Sequence, residues 1–412
     1  MRVLFLHNNF PAQYRHVARK LGEEKENQVI FASHRAAEKI PGVVNVLYKP
    51  HREGSEKTHH YLRSTESAVI NGQSLFKLCI DLKKKGFSPD IICAHSGWGP
   101  ALYVKEVFPH ARLLCYFEWY YHAFGSDADF LQDSNIGYDD AGRIRTKNMP
   151  LLMDLAHCDW GQVPTQFQAA QIPKVFHSKL SVLHDGVDTD FFKPDPDAPK
   201  KFGALDLSHA DEILTYATRG MEPYRGFPEF MRAAALLLKE RPNLHVVVVG
   251  QDRVAYGKKR PDGKGWGEAM VEELKPDRDR LHFTGLLPYA DYVKVLQAST
   301  VQAYLTVPFV LSWSLIESLS SGALVVASDT APVREVIRDG ENGFLSDFFD
   351  HEALARRIAF VLDNHKDLQS VREAARNTVL ETYSHQKLLP RQLQLIRDVA
   401  AGTLPPTEGS ME

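Results

Sequence analysis

Residues 212–250 read EILTYATRGMEPYRGFPEFMRAAALLLKERPNLHVVVVG. A β-branched, apolar run (EILTYAT) leads through a Gly-containing turn into FPEFMRAAALLLKER, whose apolar residues fall on one helical face, and LHVVVVG follows as a second apolar run. Strand, helix and strand in that order predict parallel strands with a covering helix. The alternation continues downstream through RLHFTG (280–285), a short helix over 289–298, VQAYLTV (301–307) and GALVVAS (322–328). Upstream it is RVLFLH (2–7), QVIFAS (28–33), a helix over SLFKLCIDLKKKG (74–86), DIICAH (90–95) and ARLLCYFE (111–118). The fold class expected is α/β, with two Rossmann-like, doubly wound domains and a cleft at the carboxyl ends of their sheets.

The two sets are separated by HDGVDTDFFKPDPDAPKKFG (184–203), whose prolines, aspartates and Asp-Gly turn read as a linker. The expected division is a first domain over 1–184, a linker over 185–203 and a second domain over 204–383. A C-terminal helix over 384–400 is expected to pack back on the first domain, and 401–412 to be a disordered tail. The 412 residues suffice for two cores. A net charge of -3 argues against nucleic acid as a partner. None of the four cysteines forms a CxxC, which reads as buried thiols in a reducing compartment. RVLFLH opens the chain with no charged leader before it, and no run reaches the roughly 20 apolar residues of a spanning helix. A cytoplasmic protein is expected, with peripheral contact at the inner face of a membrane left open. LKKKG (82–86) could touch anionic lipid there, or be a solvated lysine run at a helix C-terminus.

Two constellations carry chemistry. Arg219 and Arg225 flank the turn after EILTYA, and Gly226 precedes a helix. Two guanidiniums beside a helix N-terminus suit phosphate oxygens, and the alternative is a solvated turn with two surface arginines. Glu317 is the only charged residue between Lys294 and Asp329, within PFVLSWSLIESLSSGALVVAS (308–328). With Ser312 as N-cap, a helix would run to Ser321 and stop at Gly322, burying Glu317. A buried carboxylate needs donors; the vicinal hydroxyls of a ribose would serve, and so would core backbone amides.

TRGMEPYRGF, VVVVGQD, RLHFTGLLP, SLIESLSSGALVVASD and PVREVIRDGENGFL resemble, in that order, the second half of retaining glycosyltransferase family 4, and SVLHDGVDTDFF resembles the family's segment entering the linker, where Asn is more usual than Asp185. The resemblance covers most of 180–350 and is mainly architectural over 1–180. It implies a GT-B fold and a retaining, metal-independent, hexosyltransferase-like enzyme. Such an enzyme moves a sugar from a nucleotide diphosphate donor, UDP- or GDP-linked rather than ADP-linked, to a saccharide or lipid-linked acceptor in polysaccharide or glycoconjugate biosynthesis, with no cofactor.

By position, Arg219 and Arg225 would hold the donor diphosphate, and Glu317 the ribose. The amides of Val310, Leu311 and Ser312 would approach the sugar and β-phosphate. Gly285 and Leu286 would pass near the base. The usual glutamate eight positions before Glu317 is Phe309 here. The usual glycine-rich loop after the first strand is HNNFPAQYRH (7–16), where Ala12, Gln13 and Arg15 could approach the donor. The usual histidine after the ARLLCY strand falls on Glu118, with His122 four residues on; either could orient a hydroxyl or deprotonate the acceptor. His95 ends another strand of that domain. The alternatives are a nucleotide-sugar epimerase or hydrolase of the same fold and a catalytically silent nucleotide-sugar binder.

Overall fold

The computed structural model describes residues 1–35 and 39–403. Residues 404–412, most of the expected tail, lie outside them. The chain forms two compact units, Met1–Asp185 with Gln386–Glu412, and Gly186–His385.

The first unit holds a seven-stranded parallel sheet of β1 (Arg2–Leu6), β2 (Gln28–Ser33), β3 (Val43–Leu47), β4 (Ile91–His95), β5 (Arg112–Tyr116), β6 (Trp160–Val163) and β7 (Leu180–Val182), ordered β3-β2-β1-β4-β5-β6-β7. The order reverses between β1 and β4, so their carboxyl ends diverge into a crevice where α/β sheets bind ligands. Both faces are covered, which is why β1 beyond Arg2 and the whole of β4 are buried and, His95 apart, apolar. One face packs against the helix Arg63–Lys84 through Leu75, Cys79 and Leu82. The other buries Val17 and Leu21 together with Leu393, Ile396 and Val399 of the terminal helix His385–Ala401. The helix expected over 74–86 starts at Arg63, and within its added turns Gly72 lets it approach the Gly99 carbonyl and the Tyr103 ring too closely for a side chain there. Lys83 of LKKKG donates to the Val107 carbonyl.

The second unit begins with a small ribbon, β8 (Lys201–Phe202) and β9 (Leu205–Asp206). Its parallel sheet comprises β10 (Glu212–Gly220), β11 (Leu244–Gln251), β12 (Leu281–Gly285), β13 (Val301–Tyr304), β14 (Leu324–Ser328) and β15 (Phe344–Ser346), ordered β12-β11-β10-β13-β14-β15. The order reverses between β10 and β13. The stretch read as a linker contributes Val187 and Phe192 to this unit's core, and Val187 bridges to Ser384. The helix Phe227–Glu240 buries Phe227 and Phe230 against Tyr216 of β10. Among the described residues no helix is long and apolar enough to cross a membrane.

Candidate active site

In the second unit the polypeptide after β10 turns through Pro223–Arg225 into the helix Phe227–Glu240. Gly226 has φ +60°, and a Cβ there would stand 2.5 Å from that of Leu305, so only glycine closes this turn. Arg225 is thereby driven inward. It is 6% exposed, and its Nη1 donates to Thr306 Oγ1 (2.8 Å) and the Val310 carbonyl (2.9 Å). The guanidinium lies 5.2 Å from the Tyr256 ring and 5.9 Å from that of Phe309. Among the described residues no carboxylate pairs with it, so its charge is buried against neutral partners, a costly arrangement unless an anion arrives. Arg219, by contrast, is exposed at the end of β10, and its guanidinium makes no hydrogen bond or ion pair with a described residue.

Beside Arg225 runs the loop from β13 to the helix Trp313–Ser320. Ser312 caps this helix, its hydroxyl accepting from the Ser314 amide. Ser312's own amide donates to the Tyr304 hydroxyl (2.8 Å), so it is not free for a ligand. The amides of Val310 and Leu311 make no hydrogen bond with a described residue. Phe309, where a family glutamate was expected, is packed edge-to-face on Tyr224 and Tyr256.

Glu317 lies one and a half turns into that helix, 6% exposed. Burial pushes its carboxyl up to about 7, and Tyr292 stands close enough to hold the value back. Nevertheless the Tyr292 hydroxyl is buried without a hydrogen-bond partner, and no described residue donates to Glu317 with good geometry. A buried carboxyl and a buried phenol thus stand side by side, with no basic side chain paired with the carboxyl among the described residues. At the carboxyl ends of β10, β11 and β12 opens a cavity of about 710 Å³, lined by Met221, Gly250, Asp252, Arg253, Phe283 and Gly285 among others. Gly285 has φ +67° with open space at its Cβ position, and Leu286 beyond it is exposed.

In the first unit, His95 ends β4 and Glu118 follows β5, its neighbour. The structure brings these two together, His95 Nε2 standing 3.6 Å from Glu118 Oε2. The imidazole is buried, stacked 4.3 Å from the Trp98 ring and edge-on to His7, with Nδ1 on the Ser96 carbonyl. His122 is turned elsewhere, its Nε2 bonded to the Gln171 carbonyl. Behind His95, Asp154 accepts from the Ser96 hydroxyl at 2.6 Å; burial pushes its carboxyl up to about 7. The loop after β5 is clamped by Asn148, which bonds both the amide and the carbonyl of Tyr121, while Trp119 is buried. Across β1, Asn8 Oδ1 accepts from Tyr48 and Asn71, and Asn71 also meets His34. Ala12 adopts φ +45°, a conformation glycine would relieve. Gln13 faces a small cleft lined by Tyr116 and Asp185. Arg15 begins the helix Arg15–Glu23.

Residues 25–192 match the glycosyl transferase family 4 group, and residues 197–378 match glycosyl transferases group 1. The chain belongs to the family 4 and group 1 glycosyltransferases. Among curated family members, the putative glycosyltransferase EpsD of Bacillus subtilis (strain 168) is 26% identical over 199 residues, 47% of this chain and 48% of EpsD. The D-inositol 3-phosphate glycosyltransferase of Mycobacterium sp. (strain JLS) is 28% identical over 196 residues, 46% of this chain and 41% of that protein. The chain thus spans about half the length of the curated relatives it matches, or less. Solved structures match almost end to end. Sucrose-phosphate synthase from Thermosynechococcus elongatus superposes with a TM-score of 0.72 at 17% identity, covering 97% of this chain and 99% of that one. Anabaena HepE in complex with UDP-glucose gives 0.67 at 15%, covering 98% and 99%. At these identities the likeness establishes the fold, which is GT-B.

Within this family member, four residues beside the sites have no sequence signal that singles them out. Glu222, Tyr256, Tyr292 and Asn71 acquire partners far along the chain, and each alone reads as ordinary surface or core.

Proposed function

We propose that the protein is a retaining glycosyltransferase that takes a nucleotide diphosphate sugar in its second unit. The observation that carries this is a pair of buried ionisable groups of opposite sign, without an ionic partner among the described residues, at the ends of neighbouring strands, Arg225 after β10 and Glu317 after β13. A nucleoside diphosphate answers both at once. Its phosphates give Arg225 charge-assisted acceptors, and its ribose hydroxyls give Glu317 two donors. Arg219 and the free amides of Val310 and Leu311 add donors around the phosphates, and the cavity lined by Gly285, next to the exposed Leu286, has room for the base. Relatives bearing glycosyltransferase names support the reading, and a UDP- or GDP-linked hexose is the donor class we assign.

As the sugar leaves, charge builds on the diphosphate, and Arg225 stabilises it from a site of low dielectric. Neutral partners hold the guanidinium in place, so little reorganisation is needed. In the first unit, Glu118 is the group we assign to the acceptor hydroxyl, with His95 beside it. Glu118 rather than His122 fits the role, since the His122 ring nitrogen is engaged by a carbonyl. The acceptor class is a saccharide or lipid-linked saccharide, and no metal is needed for the step.

Incubation with UDP-, GDP- and ADP-linked hexoses and a mixed saccharide acceptor pool tests this. Transfer with the donor's anomeric configuration retained, read by NMR of the product, is expected. Donor binding without turnover would favour the silent binder. Conversion of the donor sugar with no acceptor consumed would favour the epimerase or hydrolase.

A further inference from the structure

Glu222 lies three residues before Arg225 and is fully buried, at 0% exposure. A carboxylate so placed is costly unless donors surround it, and here the donors are three successive backbone amides from a distant loop. Oε1 accepts from Ala255 (3.1 Å) and Tyr256 (3.2 Å), and Oε2 from Tyr256 (3.0 Å) and Gly257 (2.7 Å). The loop beyond carries Lys258 and Lys259, both exposed and without a hydrogen bond or ion pair to a described residue. Its far end is tied down separately, Asp252 accepting from the amides of Gly267 and Glu268.

The consequence of the Glu222 clamp is the position of Tyr256. That ring is 39% exposed, yet it is held 5.2 Å from the Arg225 guanidinium and edge-to-face with Phe309, also at 5.2 Å. Arg225 therefore rests between aromatic faces instead of against a carboxylate. A carboxylate bonded directly to Arg225 would compete with phosphate for its donors. Glu222 is adjacent in sequence but spends its charge on amides, leaving the guanidinium both oriented and unneutralised.

We infer that Glu222 is a positioning residue for the donor site: its hydrogen bonds to the 255–257 backbone hold Tyr256 over Arg225, and Tyr256 with Phe309 forms the aromatic wall beside the diphosphate. The inference rests on the donor-site reading above. It also gives Phe309 a use, as the inner half of that wall.

The test is a calorimetric titration of UDP, GDP and ADP into the full chain as wild type, Arg225→Met, Tyr256→Ala, Glu222→Gln and the Glu222→Gln/Tyr256→Ala double variant. Trypsin cleavage after Lys258 and Lys259 is followed in parallel. Glu222→Gln is expected to weaken the tightest of the three ligands about tenfold and to speed loop cleavage. The double variant should bind no worse than the weaker single variant, because coupled groups are not additive. The inference is overturned if Glu222→Gln binds like wild type, if its loss adds in full to that of Tyr256→Ala, or if cleavage is unchanged. Wild type binding none of the three would instead sink the donor-site reading, and this inference with it. Should Glu222→Gln not fold, Gly257→Pro removes the shortest of the hydrogen bonds from the loop side, with the same expectations.

Discussion

The carboxyl edges of the two sheets are polar in opposite ways. In the second unit the buried Arg225 guanidinium donates only to neutral groups and the buried Glu317 carboxyl has no basic side chain paired with it, so neither has an ionic counterpart among the described residues. In the first unit the polar groups answer one another: His34, Asn71, Asn8 and Tyr48 form a chain of hydrogen bonds, Asp154 takes Ser96, and His95 sits beside Glu118. Uncompensated charge lowers stability, so it marks a place prepared for a charged ligand. The hydrogen-bonded set His34, Asn71, Asn8 and Tyr48 costs little and holds its shape, which suits a hydroxyl-rich, uncharged ligand, and beside it the buried His95 Nε2 makes no hydrogen bond with a described residue.

The contrast is sharpest when each edge is altered alone. Glu118→Gln should cut sugar transfer by about 100-fold or more, the range for loss of a positioned proton acceptor. Titration of the nucleoside diphosphate should show its binding unchanged, and a parallel loss of binding would break the division of labour. Arg225→Met removes the buried charge while keeping the volume. Nucleoside diphosphate affinity should fall about 10- to 100-fold, at about 1.5–3 kcal/mol per charged hydrogen bond, while the thermal midpoint does not fall.

The raised carboxyl of Glu317 gives a pH signature. Ribose hydroxyls need the ionised form, so affinity should rise about tenfold from pH 6 to pH 8, through the value of about 7, and Glu317→Gln should be flat. The stability sign runs the other way. A raised carboxyl favours the protonated folded state, so that contribution is fully present below the unfolded value near 4.5 and is lost as pH climbs through about 7. Thermal melts of wild type against Glu317→Gln between pH 5 and pH 8 check it. Arg219→Ala, on the exposed partner of Arg225, should weaken binding only about three- to fivefold, and the effect should shrink as salt is raised. Smallest of all, Ala12→Gly should stabilise the first unit by about 0.5–1 kcal/mol in urea unfolding, since φ +45° disfavours alanine.

The second sheet was largely legible because its strands are long and β-branched; LHVVVV of β11 can hardly be anything else. The first sheet was only half legible. β6 is four residues containing Gly161 and Gln162, β7 is three, and β3 has the half-exposed character of a sheet edge, so none carries enough pattern to stand out. The start of the helix at Arg63 was hidden by polar residues and Gly72, whose reason lies in the tertiary contact with Tyr103. At the sites, the burial of Glu317 could be read from its apolar neighbours and the end of its helix from Gly322. The occupied amide of Ser312 could not, since it depends on Tyr304 reaching across from β13. Nor could Glu222, because its partners lie 33 to 35 residues downstream.

The most direct test of the central claim is calorimetric titration of UDP, GDP and ADP into wild type and Glu317→Ala at pH 8. The account predicts that one nucleoside diphosphate binds wild type and loses about tenfold or more in affinity to Glu317→Ala, as expected when hydrogen bonds to a charged group are removed. If none of the three binds, or the variant binds as tightly as wild type, Glu317 is a core carboxylate and the second unit's unpaired charges are not a donor site.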